Sequence, residues 1–209
     1  VPSGSIRWAR LYIGVWGGTE KYEGWVRTDL NGNSLGKRLL LGTNDDSENV
    51  YCAGHGVYWI YYDVTSDITN GENAVTIETS QGEPGNKLDG RVYGAVLAVV
   101  YEDSKAPEIS YMIYDGNVNL HGKGWSGNQG NENENTSVCF DNIPVSGNTD
   151  GACLTVAYLT SSKGLPDYLQ FNGYQLGVTP QYLLDMGYRT GVTDIANEVS
   201  GDACSGEGE

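Results

Sequence analysis

Two stretches of the chain repeat each other. Residues 25 to 36 read WVRTDLNGNSLG and residues 166 to 177 read PDYLQFNGYQLG. Each runs through an alternating segment into an Asn-Gly pair (Asn31-Gly32, Asn172-Gly173), then a short polar stretch, then Leu-Gly. Asn and Gly both tolerate positive φ, so the pair predicts a tight two-residue hairpin turn. Two further echoes flank the first. Ala9 to Ile13 resembles Ala152 to Tyr158, and Asp63 to Ile68 resembles Gly191 to Ile195. A repeat constrains architecture more than any local propensity does. This one implies a β unit used twice, the second time in shortened form.

The rest of the chain agrees. Of 209 residues, 30 are Gly and 15 are Tyr, and they punctuate short runs of Val, Ile, Tyr and Thr. That is the composition of strands joined by many turns. Strands are predicted over 6–16, 22–30, 38–41, 57–65, 74–79, 91–101, 109–114, 137–141, 154–160 and 168–171. The run RVYGAVLAVVY at 91–101 is apolar at nearly every position, which predicts a strand covered on both faces. The segment Tyr61 to Thr65 followed by Asn70 to Ile77 has the strand, turn and Gly-x-Asn pattern of a jelly roll, with Asp63 and Thr65 capping the turn. The predicted fold is therefore all-β: a jelly-roll-like β-sandwich, duplicated with a shortened second unit. The first unit spans 1–120 and a Gly/Asn-rich linker spans 121–136. The second, over 137–209, packs on the first. It has no equivalent of the 91–101 strand, so it leans on the first unit or leaves an edge for a neighbouring subunit.

The formal net charge of −15 argues against nucleic acid and against anionic lipid as partners. No apolar run is long enough to span a membrane. The start, Val1 to Ser5, has no signal-peptide layout, so an exported protein would have lost its leader before Val1. The four cysteines Cys52, Cys139, Cys153 and Cys204 have no CxxC spacing. They read as disulfide candidates in an oxidising setting. Of three possible pairings, Cys139 with Cys153 is favoured, on successive predicted strands. Closing that loop would be worth roughly 3 kcal/mol in the chain-entropy model. Cys52 and Cys204 would pair with each other or with other subunits. Asn135-Thr136-Ser137 is a sequon, making Asn135 a glycosylation candidate.

Chemical motifs are sparse. Cys52-x-x-His55 lacks two further metal ligands; His121 and Asp63 are the nearest guesses, and turn residues are the simpler reading. With two histidines and no G-x-S-x-G elbow, a nucleophilic triad has little to draw on. Carboxylate pairs such as Glu20 with Glu23, or Glu102 with Asp103, lie where solvated acids are expected. No enzyme is predicted, and no cofactor is required. Asn44, Asp45, Asp46 and Glu48 form a candidate Ca²⁺ loop, although not an EF-hand. Trp8, Trp16, Trp25 and Trp59 fall in predicted strands, where core packing is expected. Trp125, in the Gly-rich loop, is the expected exposed contact, for a sugar or a neighbouring subunit.

Several motifs carry a resemblance. Ile6 to Tyr12 with Gly14 to Gly18, Val50 to Tyr58, Asp89 to Gly94, and Asn117 to Trp125 resemble a family of methanogen cell-surface domains of unassigned function. The resemblance covers roughly residues 5 to 177. It implies an extracellular or envelope location. The chain shows neither the repeat modules nor the anchors of the multi-domain members, and is closer to the building block of the proteinaceous sheath of filamentous methanogens. The resulting expectation is a homo-oligomeric structural subunit of an archaeal envelope layer or tubular sheath, held by β-edge contacts and disulfides. A cell-surface carbohydrate-binding or adhesion module is the alternative, with a glycan as its partner.

Overall fold

The computed structural model describes residues 1–16, 24–41, 45–53, 56–81, 91–118, 136–141, 160–161, 168–172, 174–178 and 189–190. They are all-β, with no helix among them. The chain divides into two compact units, Val1–Ile143 and Pro144–Glu209. The boundary falls after the 121–136 stretch, and residues 136–141 belong to the first unit.

The first unit is a β-sandwich. One sheet contains β1 (Ser5–Trp16), β4 (Val50–Ala53), β5 (Val57–Asp63) and β7 (Arg91–Glu102) in the order β4-β5-β1-β7. The other contains β2 (Gly24–Leu30), β3 (Asn33–Leu40) and β6 (Val75–Gln81) in the order β3-β2-β6. Every pairing is antiparallel. Strand alternation decides what is buried. Ala9, Leu11, Ile13 and Val15 of β1 and Tyr58, Ile60 and Tyr62 of β5 face inward, against Val26, Thr28, Leu30 and Leu40 of the other sheet. Each large aliphatic or aromatic side chain buried in this way contributes about 1.5–3 kcal/mol by its removal from water. Two polar atoms are enclosed with them: among the described residues, the Thr28 and Tyr62 hydroxyls are buried without a hydrogen-bond partner.

The crossover from β5 to β6 closes one end of the sandwich. Val64 donates its amide to the Ala9 carbonyl at 3.0 Å, adding a rung beyond β5, and Val64 and Ile68 drop into the core. The Asp63 carboxylate accepts from the Thr65 amide at 3.1 Å and the Thr65 hydroxyl at 2.7 Å, the turn cap read from the sequence. The Asn73 side chain holds the next turn, accepting the Thr69 amide at 2.9 Å and donating to the Thr69 carbonyl at 2.8 Å.

This loop docks on the first Asn-Gly turn. Asn31 and Gly32 have φ of 52° and 80°, as a hairpin turn with two left-handed residues needs. The Asn31 amide donates to the Ala74 carbonyl at 2.8 Å, and its side-chain oxygen accepts the Ala74 amide at 2.9 Å. Its side-chain nitrogen donates to Asn73 Oδ1 at 2.9 Å and to the Asp67 carbonyl at 3.2 Å. One residue thus fixes both the hairpin and the crossover.

The repeat seen in the sequence is a repeated hairpin. In the second unit β9 (Tyr168–Phe171) and β10 (Tyr174–Val178) pair antiparallel around Asn172, whose φ is 49°. The first hairpin slips register between Asp29↔Ser34 and Thr28↔Gly36, leaving Leu35 as the extra residue. The second slips between Gln170↔Gln175 and Leu169↔Gly177, leaving Leu176. A left-handed Asn sets the turn in both, and Leu-Gly sets the bulge. Gly36 has φ of 111°, which a side chain would resist. The second unit also contains β8 (Thr160–Ser161) paired with β11 (Arg189–Thr190). The flanking echoes at 152–158 and 191–195 lie outside the described residues.

Three sequence expectations need correction. Segments 109–114 and 137–141 are not strands. β propensity describes how side chains suit a pleated surface, and these segments have no ladder partner. β7 is an edge strand with no fully buried residue among those described, not one covered on both faces. Lack of alternation here reflects partial cover on each side. Trp8, Trp25 and Trp59 are half-buried on the outer sheet faces, not in the core, where Tyr58 and Tyr62 are the large aromatics. The Trp16 side chain lies outside the described residues.

Asn31→Ala should cost about 2–4 kcal/mol, from a left-handed Ala and the lost side-chain bonds. Asn31→Gly keeps the backbone geometry and should cost less than the Ala variant. Urea unfolding of both variants checks this, and equal losses would refute the backbone share.

Candidate functional site

The outer face of the larger sheet is built from the even positions of β1. Trp8, Arg10 and Tyr12 point away from the core, beside Trp59 and Tyr61 of β5 and Tyr51 of β4. The Arg10 guanidinium stands 5.4 Å from the Trp8 ring centre and 4.5 Å from that of Tyr61. Tyr12 meets Trp59 edge-on at 6.1 Å, and Tyr51 stacks on Tyr61 at 5.2 Å. A cation held between aromatic faces still needs an anion near it, and the chain supplies one from far along the sequence.

After β7 the chain turns at Asp103 to Ala106, then residues 107–118 run as a strap without strand structure. Asp115 fastens the strap. Its Oδ2 accepts from Arg10 at 2.7 Å and from the Tyr12 hydroxyl at 2.8 Å, and its Oδ1 accepts from the Tyr51 hydroxyl at 3.0 Å. Asn117 completes the fastening by donating to the Val57 carbonyl at 2.6 Å and the Tyr51 carbonyl at 3.1 Å. Desolvation works to raise the Asp115 carboxyl. The hydrogen bonds from Tyr12, Tyr51 and Arg10 outweigh it and hold the group below its ordinary value. Burial first, then Asp115, pushes the Tyr12 phenol up to about 12 and raises Tyr51 as well.

The strap turns its apolar side chains outward. Ile109, Tyr111, Met112, Ile113, Tyr114 and Val118 are exposed, with Ile109 at 73%. Tyr114 packs edge-on against Phe140 at 4.8 Å, and its hydroxyl accepts from the Asp141 amide at 3.2 Å. β7 itself leaves Val92 and Tyr101 exposed.

The smaller sheet presents a different outer face. Across its three strands run the rows Leu39–Trp25–Ser80 and Lys37–Arg27–Glu78. Arg27 forks onto Asp29, with 3.3 Å from Nε to Oδ1 and 3.1 Å from the guanidinium to Oδ2. The Lys37 ammonium stands 4.8 Å above the Trp25 ring. Arg27, Lys37, Glu78 and Thr79 line a shallow open groove there.

The sites expected from sequence fare unevenly. Asp45 is buried, and both its oxygens are occupied by backbone amides, Leu41 at 2.9 Å and Ser47 at 3.0 Å. Asp46 and Glu48 are exposed, and Arg38 donates to the Glu48 carbonyl. These contacts give the loop a structural explanation. Asn44 lies outside the described residues, and no group of three metal-ligating side chains gathers among those described. Asp63 is taken by its turn, and Glu102 pairs with Arg7 on the surface. No disulfide forms among the described residues. Cys139 is exposed with a free thiol, while Cys52 is half-buried beside Tyr58 and Asp45. Burial first, then Asp45, pushes the Cys52 thiol up to about 11. Glu20, Glu23, His55, His121, Trp125, Asn135, Cys153 and Cys204 lie outside the described residues.

Sequence reading missed Asp115 and the Trp25 face. The signal for Asp115 was Arg10, the inner of two cations in the apolar run of β1, which required a counter-charge from elsewhere.

The family model described as protein of unknown function (DUF3344) matches residues 1–200. The chain belongs to this family. No curated protein and no solved structure matches it. Among the described residues of this DUF3344 protein, no helix is long and apolar enough to cross a membrane.

Two outcomes follow for the DUF3344 chain. Asp115, with its lowered value, contributes stability that is present above about pH 4 and is lost as pH falls through its folded value. Tyr12, with its raised value, contributes stability present below about pH 10 and lost as pH rises towards about 12. Urea midpoints against pH should show both limbs, and Asp115→Asn should shrink the acid limb, to which Asp63 and Glu102 also contribute, and speed proteolysis within 107–118. Separately, iodoacetamide at mildly alkaline pH should modify Cys139 about a hundredfold faster than Cys52, read by peptide mass spectrometry.

Proposed function

We propose that this protein is a structural subunit of an extracellular archaeal envelope layer, a tubular sheath in its most specific form, and that copies assemble through the edge of β7. The observation that carries the reading is the character of that edge. β7 is twelve residues long, apolar from Val92 to Tyr101, and stands last in the strand order of its sheet among the described residues. A long apolar edge with free backbone groups is a template for another strand, and monomeric proteins commonly blunt such edges with charge or Pro. A contact between two different surfaces repeats head to tail and closes into rings or runs on as a tube. The neighbouring strap adds exposed Ile, Met and Tyr to the same reading, and the exposed Cys139 thiol supplies a group that could join copies covalently. The archaeal and extracellular elements rest on the resemblance of the motifs at 6–18, 50–58, 89–94 and 117–125. No residue is assigned a catalytic role.

A net charge of −15 opposes close approach of copies over long range. Assembly of this kind therefore strengthens with salt, which screens repulsion without touching the apolar contact. A second reading, a surface glycan-binding module, is favoured by the half-exposed Trp25 on an open sheet face.

Val96 and Val100 lie on the outer sheet face of β7, in register with Tyr12 and Trp8, where a strand added at the edge would pack against them. Replacing both with Lys should leave thermal unfolding nearly unchanged and shift the protein to monomer in analytical ultracentrifugation. The unaltered chain should form large species that lengthen with added salt and are visible by negative-stain microscopy. A monomeric unaltered chain at all salt concentrations would refute assembly through this edge.

A further inference from the structure

The outer face of the smaller sheet has a charge arrangement that the fold does not require. Arg27 on β2 stands directly opposite Lys37 on β3. Like charges in directly opposed positions destabilise a sheet. They are also scarce in this chain, which has 12 Lys and Arg against 27 Asp and Glu. The second hairpin shows that the motif is built without them. There the same register pairs Tyr168 with Val178, beside the same Asn turn and the same Leu-Gly bulge. The two cations therefore belong to the surface of the first hairpin and not to its backbone.

Their surroundings describe a ligand. Asp29 fixes the Arg27 guanidinium from one side, with its own side chain only 18% exposed, and leaves Arg27 51% exposed. Lys37 rests its ammonium over the Trp25 ring. That contact is weak at an exposed site, so a sugar ring can replace the ammonium on the indole face. Glu78, exposed on the far side of Arg27, is placed to accept hydroxyl hydrogens. The face is open, so it suits a chain passing along it rather than a small molecule enclosed in a cavity.

We propose that this face binds an acidic polysaccharide, with Trp25 stacking on a sugar ring and Arg27 and Lys37 holding the carboxylate of a uronic acid residue. The inference rests on the glycan-binding reading of this face and is independent of assembly through β7.

The test is calorimetric titration of the full chain carrying the two β7 lysine substitutions, so that association does not enter. The titrants are oligogalacturonate, a neutral oligoglucoside and polyglutamate. Oligogalacturonate should bind about tenfold more tightly than the neutral sugar and weaken with salt. Lys37→Gln should weaken it by about tenfold. Trp25→Ala should remove it, and Trp25→Tyr should keep most of it, which separates loss of stacking from loss of fold. Equal binding of neutral and acidic sugars, with Lys37→Gln silent, would overturn the acidic preference and leave the glycan reading standing. Polyglutamate binding as well as oligogalacturonate would overturn the site as mere ion exchange. Binding of none of the three would overturn both readings.

Discussion

β1 has a strand on each edge and something against each face, and the larger unit is arranged around that condition. β5 and β7 take its two edges. The inward residues Ala9, Leu11, Ile13 and Val15 form one side of the core. The outward residues Trp8, Arg10 and Tyr12 would leave a cation and two large rings partly in water. The strap, fastened by Asp115, resolves this by bringing an anion to the cation. The covering is polar at its point of attachment and apolar on its far side, so the problem of exposed apolar surface moves outward and does not disappear. That displaced surface, with the open edge of β7, is what the proposed association rests on.

The sequence makes the hairpins legible because their chemistry is local. Asn31 and Asn172 set the turns, and Leu35-Gly36 and Leu176-Gly177 set the bulges, within a dozen residues each. The Asp63–Thr65 cap is legible for the same reason. β1, β5, β6 and β7 are also legible as strands, because aromatic and β-branched runs between turn residues have few other uses. Placement within the sheet is harder. The unbroken apolar run of β7 has two physical causes, cover on both faces or partial cover at an edge, and the pattern alone does not separate them. Short β4 carries too few residues for a pattern. The strap has the side chains of a strand, but a strand is defined by its partner, and none is written in its own sequence.

The candidate surfaces were less legible, because they depend on distance along the chain. Asp115 meets Arg10, Tyr12 and Tyr51 across separations of 105, 103 and 64 residues. Trp25 was assigned to the core because Trp is apolar, yet its parity with Arg27 and Asp29 on β2 already places it with charged neighbours on the outer side. Parity against a known polar neighbour is a stronger guide to a strand Trp than hydrophobicity. In the acidic loop at 45–48, the buried carboxylate serves two backbone amides, a role that its sequence pattern does not reveal.

The paired hairpins have a consequence for how such a chain can change over generations. Turn and bulge together index each strand against its partner, so substitutions on the outer face cannot slide the register. One copy could then hold Arg27 and Lys37 where the other holds Tyr168 and Val178, on the same backbone register. A duplication of this kind separates what must be inherited from what can be explored. Three or four residues carry the shape, and the exposed face between them is free to acquire a new specificity in either copy.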